Sequence, residues 1–224
     1  MGTFSLIFFY IFSFILLFIP WIFVKNTVLQ KNEIKNQLAT KNRTARNGDV
    51  FINALLKQGK THIQNNSLFI LGNKNSDFEL TIFTSLHCEI CKNLIATIQK
   101  IIFAYEEQIK INLYLKSYHP QMNDLHAFYS IFLFQGQKNF LESLIYWYEN
   151  KKLFKITDGY DSEIHKPNLE MQNDSFPQNN IISTPAIFIN EYAYPPIFEK
   201  EDLYYYAENI IENNINLKTL NYAS

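Results

Sequence analysis

The chain has 224 residues, 47% of them hydrophobic and 16% aromatic, with 20 basic against 21 acidic groups for a formal net charge of −1. That balance excludes a polybasic nucleic-acid binder, which needs a surplus of Lys and Arg, and a disordered chain, which lacks the apolar mass for a core. The 2 cysteines, Cys88 and Cys91, are too few for a disulfide-scaffolded fold, so whatever they do they do as a pair.

Residues 4–24 form an almost continuous apolar run without a charged group, with Ser5, Tyr10 and Ser13 as polar interruptions. At about 1.5 Å per helical residue the run matches a bilayer core of about 30 Å, so residues 1–25 read as one N-terminal transmembrane anchor. A secretory signal peptide is the rival reading. Its apolar stretch is usually about 7–15 residues and ends at small residues, whereas KNTVLQKN follows here. Pro20 and Trp21 read as an interfacial kink and an aromatic anchor that touch only the last turn. Residues 26–66 read as a helical connector: Val28, Ile34 and Leu38 recur at helical spacing, and a short helix from Asp49 places Phe51, Leu55 and Leu56 on one face. Six basic residues (Lys25, Lys31, Lys35, Lys41, Arg43 and Arg46) face one acid, Glu33, after the apolar run. Taken alone, that asymmetry keeps the C-terminal part in the cytoplasm.

Residues 67–217 read as one α/β domain. SLFIL before Gly72, ELTIFT at residues 79–84 and IKINLYL at residues 109–115 are predicted strands. Between the last two, Leu94, Ile95, Ile98, Ile102 and Tyr105 mark one face of a helix, which makes a βαβ unit with a parallel strand pair. Two further helical patterns follow, broken near Gly136, and then a polar stretch with a helix after Pro167. The chain ends with AIFI at residues 186–189, a turn at Asn190-Glu191, a short strand at residues 192–194 and a helix over residues 200–213.

The chemistry lies in TIFTSLHCEICKNL. Cys88 follows a predicted buried strand and opens a helix, with Cys91 one turn further in. A helix N-terminus offers free N–H groups and a positive dipole end, which favour the thiolate at Cys88. A spacing of three residues lets Cys91 close a disulfide with Cys88 or attack a mixed disulfide. A zinc site would need a second ligand pair, for which only His119 and His126 stand near each other, and haem attachment needs a His where Lys92 stands. Two inert buried cysteines are the bland alternative. The second signal is IISTPAIFI, where Pro185 directly precedes an apolar strand. It is either a strand-start proline or a cis Thr184-Pro185 bond forming a turn.

With both signals present the chain resembles the thioredoxin-like superfamily, and within it the DsbA-like branch. It is most similar to the thioredoxin-like region that follows the membrane domain in bacterial vitamin K epoxide reductase fusion proteins of Bacteroidetes. The resemblance rests on FINALLKQ, FILGN, LTIFTSLHCEICKNL and STPAIFINEYAYPPIFEKEDL, in that order. It implies a thioredoxin-like fold with a helical insertion at about residues 122–177, behind the transmembrane helix. It implies a thiol-disulfide oxidoreductase in which Cys88 attacks, Cys91 resolves, and Thr184 before a cis Pro185 pairs with the substrate backbone. Protein or peptide disulfides are the implied substrates, with a quinone-linked vitamin K epoxide reductase-like membrane protein as redox partner. The implied location is the bacterial inner membrane, with the catalytic domain facing the periplasm. No metal and no cofactor are assigned.

Departures from the pattern matter for the redox poise. His87 replaces the usual Trp and Glu89-Ile90 the usual Gly-Pro. A protonated His87 favours the Cys88 thiolate and Glu89 disfavours it, so the two oppose. Ile82 stands where thioredoxins carry a buried acid, and Glu191 where relatives have a turn glycine. Two rival readings remain: a non-catalytic, membrane-tethered binding module using Phe128, Phe132, Phe134, Trp147 and Tyr148, and a cytoplasm-facing reductase, favoured by the basic connector.

Overall fold

The structure is a computed structural model that describes residues 7, 12, 14, 16, 18–33, 47–64, 67–117, 122–152, 162–217 and 219. The chain divides into two compact units, Met1–Asn47 and Gly48–Ser224.

In the first unit, residues 18–33 form one helix, α1. Phe18 stacks on Trp21 with ring centroids 5.7 Å apart, and the Lys25 ammonium lies 5.4 Å from the Trp21 ring. Pro20 does not end this helix, which runs on to residue 33. A proline within a helix removes one backbone donor to the turn before it and leaves the bonds of the turns that follow in place. Among the described residues no helix is long and apolar enough to cross a membrane. Much of the predicted anchor, residues 4–6, 8–11, 13, 15 and 17, lies outside them, as does the predicted connector over residues 34–46.

The second unit is built on a five-stranded sheet in the order β1-β3-β2-β4-β5, from β1 (Phe69–Gly72), β2 (Glu79–Ser85), β3 (Lys110–Lys116), β4 (Ala186–Ile189) and β5 (Tyr192–Ala193). The predicted strands form, and β2 and β3 pair in parallel with Ile82 opposite Leu113. On its other side β2 pairs antiparallel with β4, Ile82 opposite Ile187, so β2 is the middle strand. Both of its faces are covered. Leu80 and Ile82 point into the main core, while Phe83 joins Tyr114, Phe176 and Phe188 in a second cluster across the sheet. This is why ELTIFT reads as a continuous apolar run with little alternation.

Helices α2 (Gly48–Leu56), α3 (Cys91–Tyr105), α4 (Met122–Asn150) and α6 (Leu203–Glu212) supply the main core, and α5 (Ser162–Gln178) contributes Leu169 to it and Phe176 to the other face. Phe51 of α2, counted with the connector in the sequence reading, stacks on Tyr206 of α6 with centroids 3.8 Å apart, so α2 belongs to this unit. The predicted break at Gly136 appears inside α4, where Gly136 takes φ 82° and ψ 172°. Helix α5 begins at Ser162, ahead of the predicted start, and keeps Pro167 within it. At the Asn190-Glu191 turn both residues adopt positive φ, 44° and 72°, the conformation that glycine would have eased. Asn190 helps to hold it: its side chain accepts from the Glu79 N–H at 2.7 Å and donates to the Asp77 carbonyl at 2.8 Å.

Burial pushes the Tyr114 and Tyr148 phenols up to about 12, with Glu79 and Glu89 respectively adding to the rise. In the unfolded chain phenols ionise near pH 10. The folded state therefore keeps protons that the unfolded state sheds, and stability should be level up to about pH 10 and fall as pH rises from there towards 12. Denaturant midpoints measured from pH 8 to pH 11.5 should show the fall; a flat profile would mean that these phenols are not held neutral by the fold.

Candidate active site

The end of β2 leads straight into the cysteine turn. Leu86 N–H still reaches the Lys116 carbonyl at 3.1 Å, after which the chain leaves the sheet. Cys88 N–H bonds the Ser85 carbonyl at 3.1 Å, and Cys91 N–H bonds the Cys88 carbonyl at 3.1 Å. These are three-residue turns, so α3 begins at Cys91 and not at Cys88 as the sequence pattern predicts. The tighter i→i+3 bonding at a helix start is the reason.

Cys88 and Cys91 are joined by a disulfide, with Cα atoms 5.3 Å apart, inside the ordinary range. Their surroundings differ. Cys91 is 0% exposed and belongs to the apolar cluster that also holds Ile82, whereas Cys88 is half-buried at the surface. Any reactant arriving from solvent meets Cys88 first.

The Thr184-Pro185 peptide is cis, which decides between the two readings of that proline. Because β4 lies beside β2, the loop before β4 comes against the turn after β2. The Thr184 carbonyl oxygen sits 3.4 Å from Cys88 Sγ. In the disulfide this is a contact, since the sulfur carries no hydrogen; a reduced Cys88 thiol can donate to it. Four of the predicted site residues, Cys88, Cys91, Thr184 and Pro185, are thus brought together.

His87 and Glu89 flank Cys88 and are both exposed. The His87 ring packs edge-on to Trp147 with centroids 6.4 Å apart. Glu89 is paired with Lys151, Oε1 to Nζ 2.9 Å, so the charge that would disfavour the Cys88 thiolate is partly offset. Burial pushes the Asp124 carboxyl above its ordinary value, and nearby His87 opposes that rise.

Four residues not assigned to the site from the sequence also shape it. Trp147 donates its indole N–H to the Leu86 carbonyl at 3.0 Å, and the Tyr148 hydroxyl donates to the Ser85 carbonyl at 2.8 Å. Lys151 reaches Glu89, and Lys200 donates from Nζ to the Pro185 carbonyl at 2.6 Å. The end of α4 therefore grips the turn that carries the cysteines. Trp147, Tyr148 and Phe128 are buried, so the aromatic set proposed as a docking face is mainly core, with Phe134 its exposed member. A buried indole N–H or phenol O–H needs a partner, which is the one signal that could have drawn attention to Trp147 and Tyr148. Among the described residues no three His, Cys, Asp or Glu side chains are grouped to hold a metal ion; His119 lies outside them.

Neither a protein-family model nor a curated protein sequence matches the chain. Solved structures do. A periplasmic thioredoxin-like protein from Salmonella enterica serovar Typhimurium is 16% identical, with 70% of this chain and 94% of that chain covered at a TM-score of 0.51. Chlamydia trachomatis DsbA is 14% identical, with 72% of this chain and 100% of that chain covered at a TM-score of 0.50. The fold is thioredoxin-like. On this frame the cysteine turn follows the middle strand and the cis proline precedes its antiparallel neighbour, so the topology itself makes the two segments meet. Helices α4 and α5 lie between β3 and β4 in the chain, and α5 covers the second face of the sheet with Phe176.

Proposed function

We propose that this chain is a membrane-anchored thiol-disulfide oxidoreductase that exchanges disulfides with protein or peptide substrates. The observation that carries the reading is the asymmetric pair: a reachable Cys88 bonded to an unreachable Cys91, with the Thr184 carbonyl against Cys88 Sγ. In the oxidising direction a substrate thiolate attacks Cys88 Sγ, the Cys88–Cys91 bond breaks, and Cys91 leaves as a thiolate. A second substrate thiolate then attacks the substrate sulfur of the mixed disulfide, releasing an oxidised substrate and leaving two electrons on the cysteine pair. Reduction runs the same steps backwards: the Cys88 thiolate attacks a substrate disulfide, and Cys91 resolves. In both directions Thr184 and Pro185 guide the substrate backbone, and His87 and Glu89 with Lys151 adjust the thiolate at Cys88. Exchange with a model disulfide protein, repeated with Cys88→Ala, tests this; equal rates in both would end the assignment.

The apolar run over residues 4–24 supports anchoring in a bacterial inner membrane, and a dithiol oxidant is useful where disulfides persist, on the periplasmic side. The sequence motifs support the vitamin K epoxide reductase-associated branch, with a quinone-linked membrane protein of that kind as the redox partner. The basic residues after the run favour the opposite orientation and a cytoplasmic reductase. Intact cells given mild reductant and a membrane-impermeant alkylating reagent separate the two: labelled Cys88 is the expected result, and an unlabelled Cys88 that reacts only after lysis places the domain inside.

A further inference from the structure

The segment after β5 returns to the cis-proline loop and has no part in the exchange steps above. Tyr194, just after β5, is pinned through its N–H to the Ile187 carbonyl of β4 at 2.8 Å. Its buried hydroxyl donates to the Glu199 carbonyl at 2.7 Å. That bond fixes the peptide just before Lys200, where a single 3-10 turn, Lys200–Asp202, opens towards α6. Lys200 is half-buried and folds back, so that Nζ meets the Pro185 carbonyl at 2.6 Å. Pro185 is itself buried, and the residue before it holds its carbonyl against Cys88 Sγ. The two tethers act in series, Tyr194 on the 199–202 turn and Lys200 on the cis-proline loop. Ile90, Leu94, Pro185, Phe198 and Lys200 line a cavity of about 290 Å³ between the start of α3, the cis-proline loop and the 199–201 segment.

A lysine in this position gives up rotamer freedom and part of its hydration, which an exposed lysine keeps. Burial lowers the affinity of its amine for the proton, and the Glu201 carboxylate opposes that. What the side chain gains is a charged donor on a single main-chain carbonyl, a stronger bond than a neutral donor makes. The carbonyl it holds is the last one before β4 begins at Ala186.

We propose that Lys200 is a positioning residue for the substrate, holding the main chain of residues 183–185 through the Pro185 carbonyl where an extended substrate segment lies beside Cys88. The inference rests on the exchange function proposed above and adds a requirement to it. A protein disulfide brings a backbone that must pair with the loop; a small disulfide without a backbone needs only Cys88 Sγ. Lys200 therefore separates the two kinds of substrate.

The experiment uses the full-length chain, kept reduced by dithiothreitol as the electron donor, with two substrates, an oxidised model protein and 2-hydroxyethyl disulfide, each rate taken above the dithiothreitol background. Lys200→Met should raise KM for the protein disulfide about tenfold, the scale of one charge-assisted hydrogen bond. Its rate on 2-hydroxyethyl disulfide should stay within about twofold of wild type, because exchange there depends on the sulfurs alone. Lys200→Arg should recover most of the KM, since it restores a charged donor. An unchanged KM in a folded Lys200→Met overturns the inference, and so does an equal loss on both substrates, which would mean that Lys200 acts through the cysteines or the fold. If Lys200→Met does not fold, Lys200→Gln against Lys200→Arg is read in the same way. A wild-type chain that exchanges with neither disulfide overturns the function and this inference with it, whereas a wild type active on both and matched by Lys200→Met overturns the inference alone.

Discussion

Cys88→Ala should lose all exchange with a protein disulfide, down to the buffer background, while Cys91→Ala should stop at a covalent mixed disulfide on Cys88. The asymmetry follows from accessibility. Cys91 is 0% exposed within the apolar core, so an incoming sulfur cannot reach it, and Cys88 is the half-buried partner at the surface. Removing Cys88 leaves a buried thiol that cannot reach a substrate disulfide to attack it. Removing Cys91 leaves an attacking thiol without its resolving neighbour, and the intermediate accumulates until an external thiol releases it. Non-reducing electrophoresis with a model disulfide protein reads both outcomes, and alkylation kinetics give an independent check. Cys88 in Cys91→Ala should label fast and Cys91 in Cys88→Ala slowly. If the labelling order is reversed, or if the mixed disulfide forms on Cys91, the roles assigned to the pair are wrong.

Much of this site is readable along the chain because its parts are local. Cys88, Cys91 and the Thr184-Pro185 pair each sit at a strand end, and once β2 and β4 pair the two ends must meet. The strands were legible for a related reason: residues such as Ile82 and Phe83 are apolar on both faces, as a strand buried between two helical layers requires. What escaped the sequence is held by single long-range bonds from remote elements. Trp147 and Tyr148 look like two more apolar positions on a helix until their polar tips are seen on Leu86 and Ser85. Lys151 and Lys200 are two of many lysines, and only the fold shows that one meets Glu89 and the other Pro185. The starts of α3 and α5 differ from the pattern because a tight i→i+3 first turn and a tolerated proline leave little signal in it.

Trp147→Ala should destabilise the second unit by about 3–5 kcal/mol, the usual loss for a buried Trp, and Trp147→Phe by about 1–3 kcal/mol. The two values separate packing from hydrogen bonding. Trp147 is 7% exposed and packs edge-on against Phe128 with centroids 5.9 Å apart, contacts that a phenyl ring largely keeps. What Phe cannot keep is the indole N–H on the Leu86 carbonyl, and Leu86 is 0% exposed, so that acceptor is left without its donor in the core. Leu86 precedes Cys88 by two residues, so the loss should also loosen the turn that presents the sulfur. Ile111→Ala is the control: Ile111 is 0% exposed in β3, opposite Leu71 and Leu80 at the end of the strand away from the cysteine turn, and its loss opens a cavity with a similar stability penalty. Denaturant unfolding should therefore show both alanine variants destabilised, while exchange with a protein disulfide at low denaturant changes in the Trp147 variants and stays near wild type in Ile111→Ala. Trp147→Phe with wild-type stability and wild-type exchange would show that α4 merely covers the cysteine turn and does not hold it.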